Sequence, residues 1–233
     1  MKRVLFIQNG ETETPGLFAD AMAARGVAVE TVHAWRGDAT PVTAVGWDGI
    51  AIGGGAMSAY ETGAFPFLKD EIALLQSVRT MGLPVLGMCL GAQLMAAAYG
   101  GGVFANHAKE IGVLDVCFTP EAESDPLWQG HTQTLPVVQW HGDTFSLPPG
   151  AVLLASSEMT PNQLFRLDEA LYGFQFHLEI GRVLLSQMVG DDAESLRHHG
   201  VDPQAFLRDS ELRLPGTEKI AEIIFGRWAG LMN

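Results

Sequence analysis

The chain has 233 residues, 47% of them hydrophobic, enough for a sizeable core in one α/β domain or two very small ones. Its 14 basic and 27 acidic residues give a formal net charge of −13, which repels phosphate backbones and argues against nucleic-acid binding. Two cysteines, Cys89 and Cys117, make no disulfide framework and fit a reduced, cytoplasmic setting.

From the start, Met1-Lys2-Arg3 leads into a short apolar run broken by Gln8-Asn9-Gly10, too short for a signal peptide. Val4–Ile7 reads as a first strand, Pro15–Arg25 as a helix and Val27–Val32 as a second strand. Ile50–Ile52 is a third strand, ending in Gly53-Gly54-Gly55. Phe65–Arg79 carries Leu68, Ile72, Leu75 and Val78 at helical spacing. Pro84–Met88 is a fourth strand and Gly91–Tyr99 a helix. Thr80–Ala108 holds no Asp, Glu, Lys or Arg, yet its glycines and Pro84 divide it into a buried strand–helix unit rather than a membrane span.

Beyond Gly100 the pattern changes. Val113–Phe118, Val137–Trp140, Val152–Ala155, Gln163–Arg166 and Leu171–Phe176 are short strands without intervening long helices, as expected of an antiparallel extension to a parallel core. Helical stretches follow around Arg182–Met188, Pro203–Arg208 and Glu218–Met232, and the polar segment Gly190–Asp209 reads as a surface insertion. No linker or repeat interrupts the chain, which predicts one domain over residues 1–233.

Gly87-Met88-Cys89-Leu90-Gly91 joins an apolar strand to a helix. That is the arrangement of a nucleophile elbow, whose sharp turn needs flanking residues without Cβ atoms. It projects the thiol at a helix N-terminus, where the dipole favours a thiolate. In Phe176-His177-Leu178-Glu179 the extended chain turns His177 and Glu179 to the same side, so a carboxylate can orient an imidazole. Gly53-Gly54-Gly55 can present backbone N–H groups to a developing oxyanion, with Gly55 and Leu90 as candidate donors. On its own, His141-Gly142-Asp143 suits a turn. Cys117 reads as a packing residue, His198-His199 as a solvated pair, and no metal cluster is evident.

Taken together, Asp48–Ser58, Pro84–Leu94, Lys109-Glu110-Ile111-Gly112, Trp140-His141-Gly142-Asp143 and Phe176–Glu179 resemble the class I glutamine amidotransferase family, above all the amidotransferase part of GMP synthetase and its free-standing relatives. The resemblance implies a flavodoxin-like α/β fold with a mostly parallel central sheet. It implies hydrolysis of a γ-glutamyl amide, such as glutamine to glutamate and ammonia, through a cysteinyl thioester and without a cofactor. It assigns Cys89, His177 and Glu179 to a catalytic triad, Gly55 and Leu90 to the oxyanion hole, and Gln93 and Asp143 to substrate binding. The family's Gly-Gly-Pro stands here as Gly54-Gly55-Ala56, and no P-loop or pyrophosphatase motif of a synthetase occurs. Three readings follow: a glutaminase feeding a separate synthetase subunit, a γ-glutamyl hydrolase or peptidase acting alone, and a non-catalytic binding homologue.

Overall fold

In the computed structural model, which describes residues 1–131 and 133–232, strands and helices alternate through the first half of the chain. The order is β1 (Arg3–Gln8), α1 (Gly16–Ala23), β2 (Ala28–His33), β3 (Gly49–Ile52), α2 (Phe67–Met81), β4 (Val85–Met88) and α3 (Leu90–Ala98). Five strands follow: β5 (Val103–Phe118), β6 (Leu135–Phe145), β7 (Val152–Ser156), β8 (Leu164–Leu167) and β9 (Leu171–Phe174). The chain closes with α4 (Arg182–Asp191), α5 (Ala193–His198) and α6 (Pro203–Ala229).

Among the described residues nine strands lie in the order β2-β1-β3-β4-β9-β8-β7-β5-β6. From β2 to β9 neighbours are parallel, and from β9 to β6 they are antiparallel, so the expected flavodoxin-like core with an antiparallel extension is present. Alternation along β1 shows why the parallel strands read as unbroken apolar runs. Val4 and Phe6 join Phe18 of α1 and Phe225 and Trp228 of α6 on one face, while Leu5 and Ile7 join Leu74, Leu75 and Val78 of α2 on the other. β2 and β3 flank β1 on opposite sides, so the chain reverses its winding at β1 and opens a crevice at the carboxyl ends of these strands. Gly53–Gly55 and Cys89 follow β3 and β4 at that edge.

Three expectations change. The insertion at 190–209 contains helix α5, and its Leu196 packs with Leu185, Phe206, Leu214, Val113 and Val138 in a third apolar cluster. The two expected C-terminal helices are one 27-residue helix that carries Pro215 inside it. Tertiary contacts on both sides of Pro215 outweigh the lost backbone bond. Leu214 is buried, Thr217 Oγ1 donates to the Pro136 carbonyl at 2.6 Å, and Arg182 Nη2 holds Glu218 at 3.0 Å. Finally, β5 and β6 extend through Lys109 and Asp143, with a bulge between Ala105 and Glu110. Asp143 is therefore a strand residue and not a turn residue; the Cα partner of Asp143 is Ala105. Among the described residues no helix is long and apolar enough to cross a membrane.

Candidate active site

Cys89 sits at the junction of β4 and α3 with φ 52° and ψ −108°, a conformation that non-glycine residues adopt only under constraint. The constraint is visible. The Cys89 amide donates to the Phe174 carbonyl at the end of β9 at 2.7 Å. A Cβ on Gly87 would lie 2.5 Å from the Gly91 carbonyl oxygen, and one on Gly91 would run into the Ile52 carbonyl. The elbow glycines are thus required by the packing of α3 onto β3 and β4. Leu90 opens α3, so its amide has no carbonyl one turn earlier to bond.

His177 lies just past β9, where its amide donates to the Val138 carbonyl of β6 at 2.9 Å. Its Nδ1 lies 2.6 Å from Glu179 Oε1, and both side chains are almost wholly buried. Burial alone would lower the histidine's pKa. The Glu179 carboxylate and then Cys89 outweigh it, holding His177 well above the usual histidine range. The sequence-predicted trio is therefore brought together at one sheet edge.

Two further polar residues belong here. Gln175, on the same side of the chain as His177 and Glu179, is fully buried; its Nε2 donates to Cys89 Sγ at 3.9 Å and its Oε1 accepts from Gln93 Nε2 at 3.3 Å. The i, i+2 alternation that paired 177 with 179 points to 175 as well. Glu13, in the loop after β1, has a ligand atom within 4.8 Å of those of His177 and Glu179, and its Oε2 is buried without a partner. Burial raises its pKa; the His177 charge opposes that shift and Glu179 adds to it. Its position past a parallel strand is the one sequence signal that marks it. These three groups could ligate a cation, but the Nδ1–Oε1 bond already occupies two of the donor atoms.

Behind this edge opens a cavity of about 700 Å³ lined by Gly55, Cys89, Gln93, Asp143, Lys109 of the neighbouring strand and His199. Gln93 Nε2 also donates to the Asp143 carbonyl at 3.3 Å. Asp143 Oδ2 is buried with no partner. Its strand is pinned from behind: His141 Nδ1 contacts the Asp143 carbonyl at 2.9 Å, and His141 Nε2 lies 3.1 Å from the buried Glu110 carboxylate. Glu110 also accepts from Ser157 at 2.6 Å and Gln163 at 2.8 Å. Cys117 is exposed, 4.0 Å from Thr134 Oγ1, and so is not the packing residue expected.

The family model for class I glutamine amidotransferases matches residues 13–183. The chain belongs to this family. It is 30% identical over 204 residues to the glutamine amidotransferase-like protein YfeJ of Salmonella typhimurium, covering 84% of this chain and 85% of that one. It is 37% identical over 134 residues to the glutamine-hydrolysing GMP synthase of Latilactobacillus sakei, of which it spans only 24%. Among solved structures, a glutamine amidotransferase from Methylobacillus flagellatus superposes with a TM-score of 0.91 at 32% identity, covering 100% of this chain and 96% of that one. One from Thermotoga maritima superposes at 0.90 and 28% identity, covering 97% of each. In this amidotransferase the residues after 183, outside the family match, still contribute Asp192, Ser195 and His199 to the cavity.

Proposed function

We propose that this amidotransferase hydrolyses γ-glutamyl amides, glutamine among them, with Cys89 as nucleophile. The observation that carries this reading is the buried 2.6 Å contact of His177 with Glu179 beside a cysteine held in a constrained elbow. The raised His177 favours an imidazolium, the form reached once it has taken the Cys89 proton. The sulfur attacks the δ-carbonyl carbon, and the oxyanion is received by the Gly55 and Leu90 amides. The C–N bond breaks as His177 gives its proton to the departing nitrogen. Water, deprotonated by His177, then opens the thioester and releases glutamate. Glu179 keeps the imidazole in register throughout. Asp143, with its buried unpartnered oxygen, receives the substrate's α-ammonium, while Gln93 braces the same wall. The likeness to GMP synthases supports a second reading, in which the ammonia passes to a separate synthetase subunit.

The test is an ammonia and glutamate release assay on the purified chain, with glutamine and γ-glutamyl amides as substrates. Release by the native protein and none by Cys89→Ala is expected. Full activity in Cys89→Ala, or alkylation of Cys117 rather than Cys89 tracking inactivation, overturns the assignment.

A further inference from the structure

Two parts of the cavity come from different portions of the chain. Gly55, Cys89, Gln93 and Asp143 lie within the residues matched by the family model, and Lys109 is also within it. Asp192, Ser195 and His199 come from the α4–α5 segment beyond the match. That segment is anchored rather than loose, because Leu196 of α5 is buried against the third apolar cluster. A γ-glutamyl group is what a family of glutamine hydrolases must share, so residues of the match hold it; Lys109 is set apart from them by its contact with His199 of the added wall. The added wall faces whatever else the cavity holds, and at about 700 Å³ the cavity is within the range that accommodates ligands larger than glutamine.

The polar chemistry of that wall is specific. Lys109 Nζ lies 3.1 Å from His199 Nε2, so the two side chains meet at one point of the cavity wall. The Lys109 stem lies along the strand backbone, where a Cβ on Gly142 would sit 3.3 Å from Lys109 Cε. The ammonium is thereby held at the cavity wall with part of its rotamer freedom already lost. It forms no ion pair there: neither Asp143 nor Asp192 is within salt-bridge distance of it among the described contacts. Asp192 and Ser195 line the same wall.

We infer that Lys109 and His199 form a subsite for a carboxylate on the leaving group, so that the preferred substrates are γ-glutamyl peptides, whose departing amine is an amino acid. This rests on the γ-glutamyl reading above and extends it to the other side of the scissile bond. The reaction balances as before: the C–N bond breaks, His177 supplies the proton, and the free amino acid leaves in place of ammonia.

The test compares γ-glutamylglycine with γ-glutamylglycinamide, which differ only in that carboxylate. Affinity is measured calorimetrically on Cys89→Ala, and turnover on the native chain. Because Lys109 and His199 are solvent-accessible, a preference for the glycine compound of about three- to tenfold is expected. Lys109→Ala and His199→Ala should collapse that ratio towards one, and Lys109→Arg should retain most of it. Turnover of both compounds without a preference, or a preference that survives Lys109→Ala, overturns the subsite while leaving γ-glutamyl hydrolysis intact. If neither compound binds or is turned over, the γ-glutamyl reading falls and the subsite with it. A Lys109→Ala loss equal for both compounds assigns the lysine to the shared α-carboxylate or to strand packing and also overturns the proposal.

Discussion

The Glu13 carboxyl shares the surroundings of the His177 imidazole that Glu179 orients, with ligand atoms of all three within 4.8 Å of one another. Burial raises Glu13 above the usual carboxylate range, so it sheds its proton later than an exposed acid would. Once ionised, it adds a second negative charge beside the imidazolium and favours that form further. Glu13→Gln keeps the shape and removes the charge. The alkaline limb of kcat/KM should then move to lower pH, because the imidazolium is lost sooner. Superimposable pH profiles for the two proteins would assign Glu13 to packing against Gly54 alone.

His177→Ala is expected to be as damaging as Cys89→Ala, since members of a catalytic unit are not additive. Glu179→Gln leaves a base in place and should lower kcat by about 10²–10⁴-fold. Single-turnover kinetics of the three variants check the order. A Glu179→Gln loss matching that of His177→Ala would give the carboxylate a more direct part in the reaction.

The unpartnered Oδ2 of Asp143 makes a sharper substrate test. A charge-assisted hydrogen bond to an α-ammonium contributes roughly 1.5–3 kcal/mol, or about a ten- to hundredfold loss of kcat/KM in Asp143→Asn. For a substrate analogue lacking the amino group, the substitution should change little. Equal losses for both substrates would make Asp143 a support of its strand.

Glu71 of α2 is fully buried, with Asn9 Nδ2 donating to its Oε2 at 3.3 Å, and burial pushes its pKa from 4.5 to about 8. The native state therefore holds this proton more tightly than the unfolded chain. The stability it contributes is complete below about pH 4.5 and falls as pH rises towards 8, by on the order of 3–5 kcal/mol. Denaturant titrations at pH 5 and pH 8.5 should show that fall in the native protein and a smaller one in Glu71→Gln. Identical falls would mean that water reaches the carboxyl.

Sequence pattern exposes what recurs along the chain, and geometry decides the rest. The elbow at Cys89 and the alternation of His177 with Glu179 are local, so the sequence shows both. Glu13 enters the site across the fold, from the loop after β1, whereas Gln175 shares the local alternation of His177 and Glu179 and is tied in through Gln93 of α3. The Lys109–His199 contact joins residues 90 apart, which no window of the sequence reveals. β5 escapes detection before Val113 because its early residues line a cavity and therefore lack an apolar alternation. α6 is hidden by Pro215, whose helix-breaking tendency is overcome only by partners in β6 and α4.

The positive φ of Cys89 bears on how such a protein can change over generations. A constrained backbone of this kind carries about 1–3 kcal/mol of strain that folding must offset every time. Selection for stability alone would drift this position towards glycine, which accepts the angle freely. The proposed role of its sulfur is what sets cysteine against glycine at this position. On the proposed function, a lineage that abandoned catalysis but kept the pocket would relax first at residue 89, where glycine removes the strain.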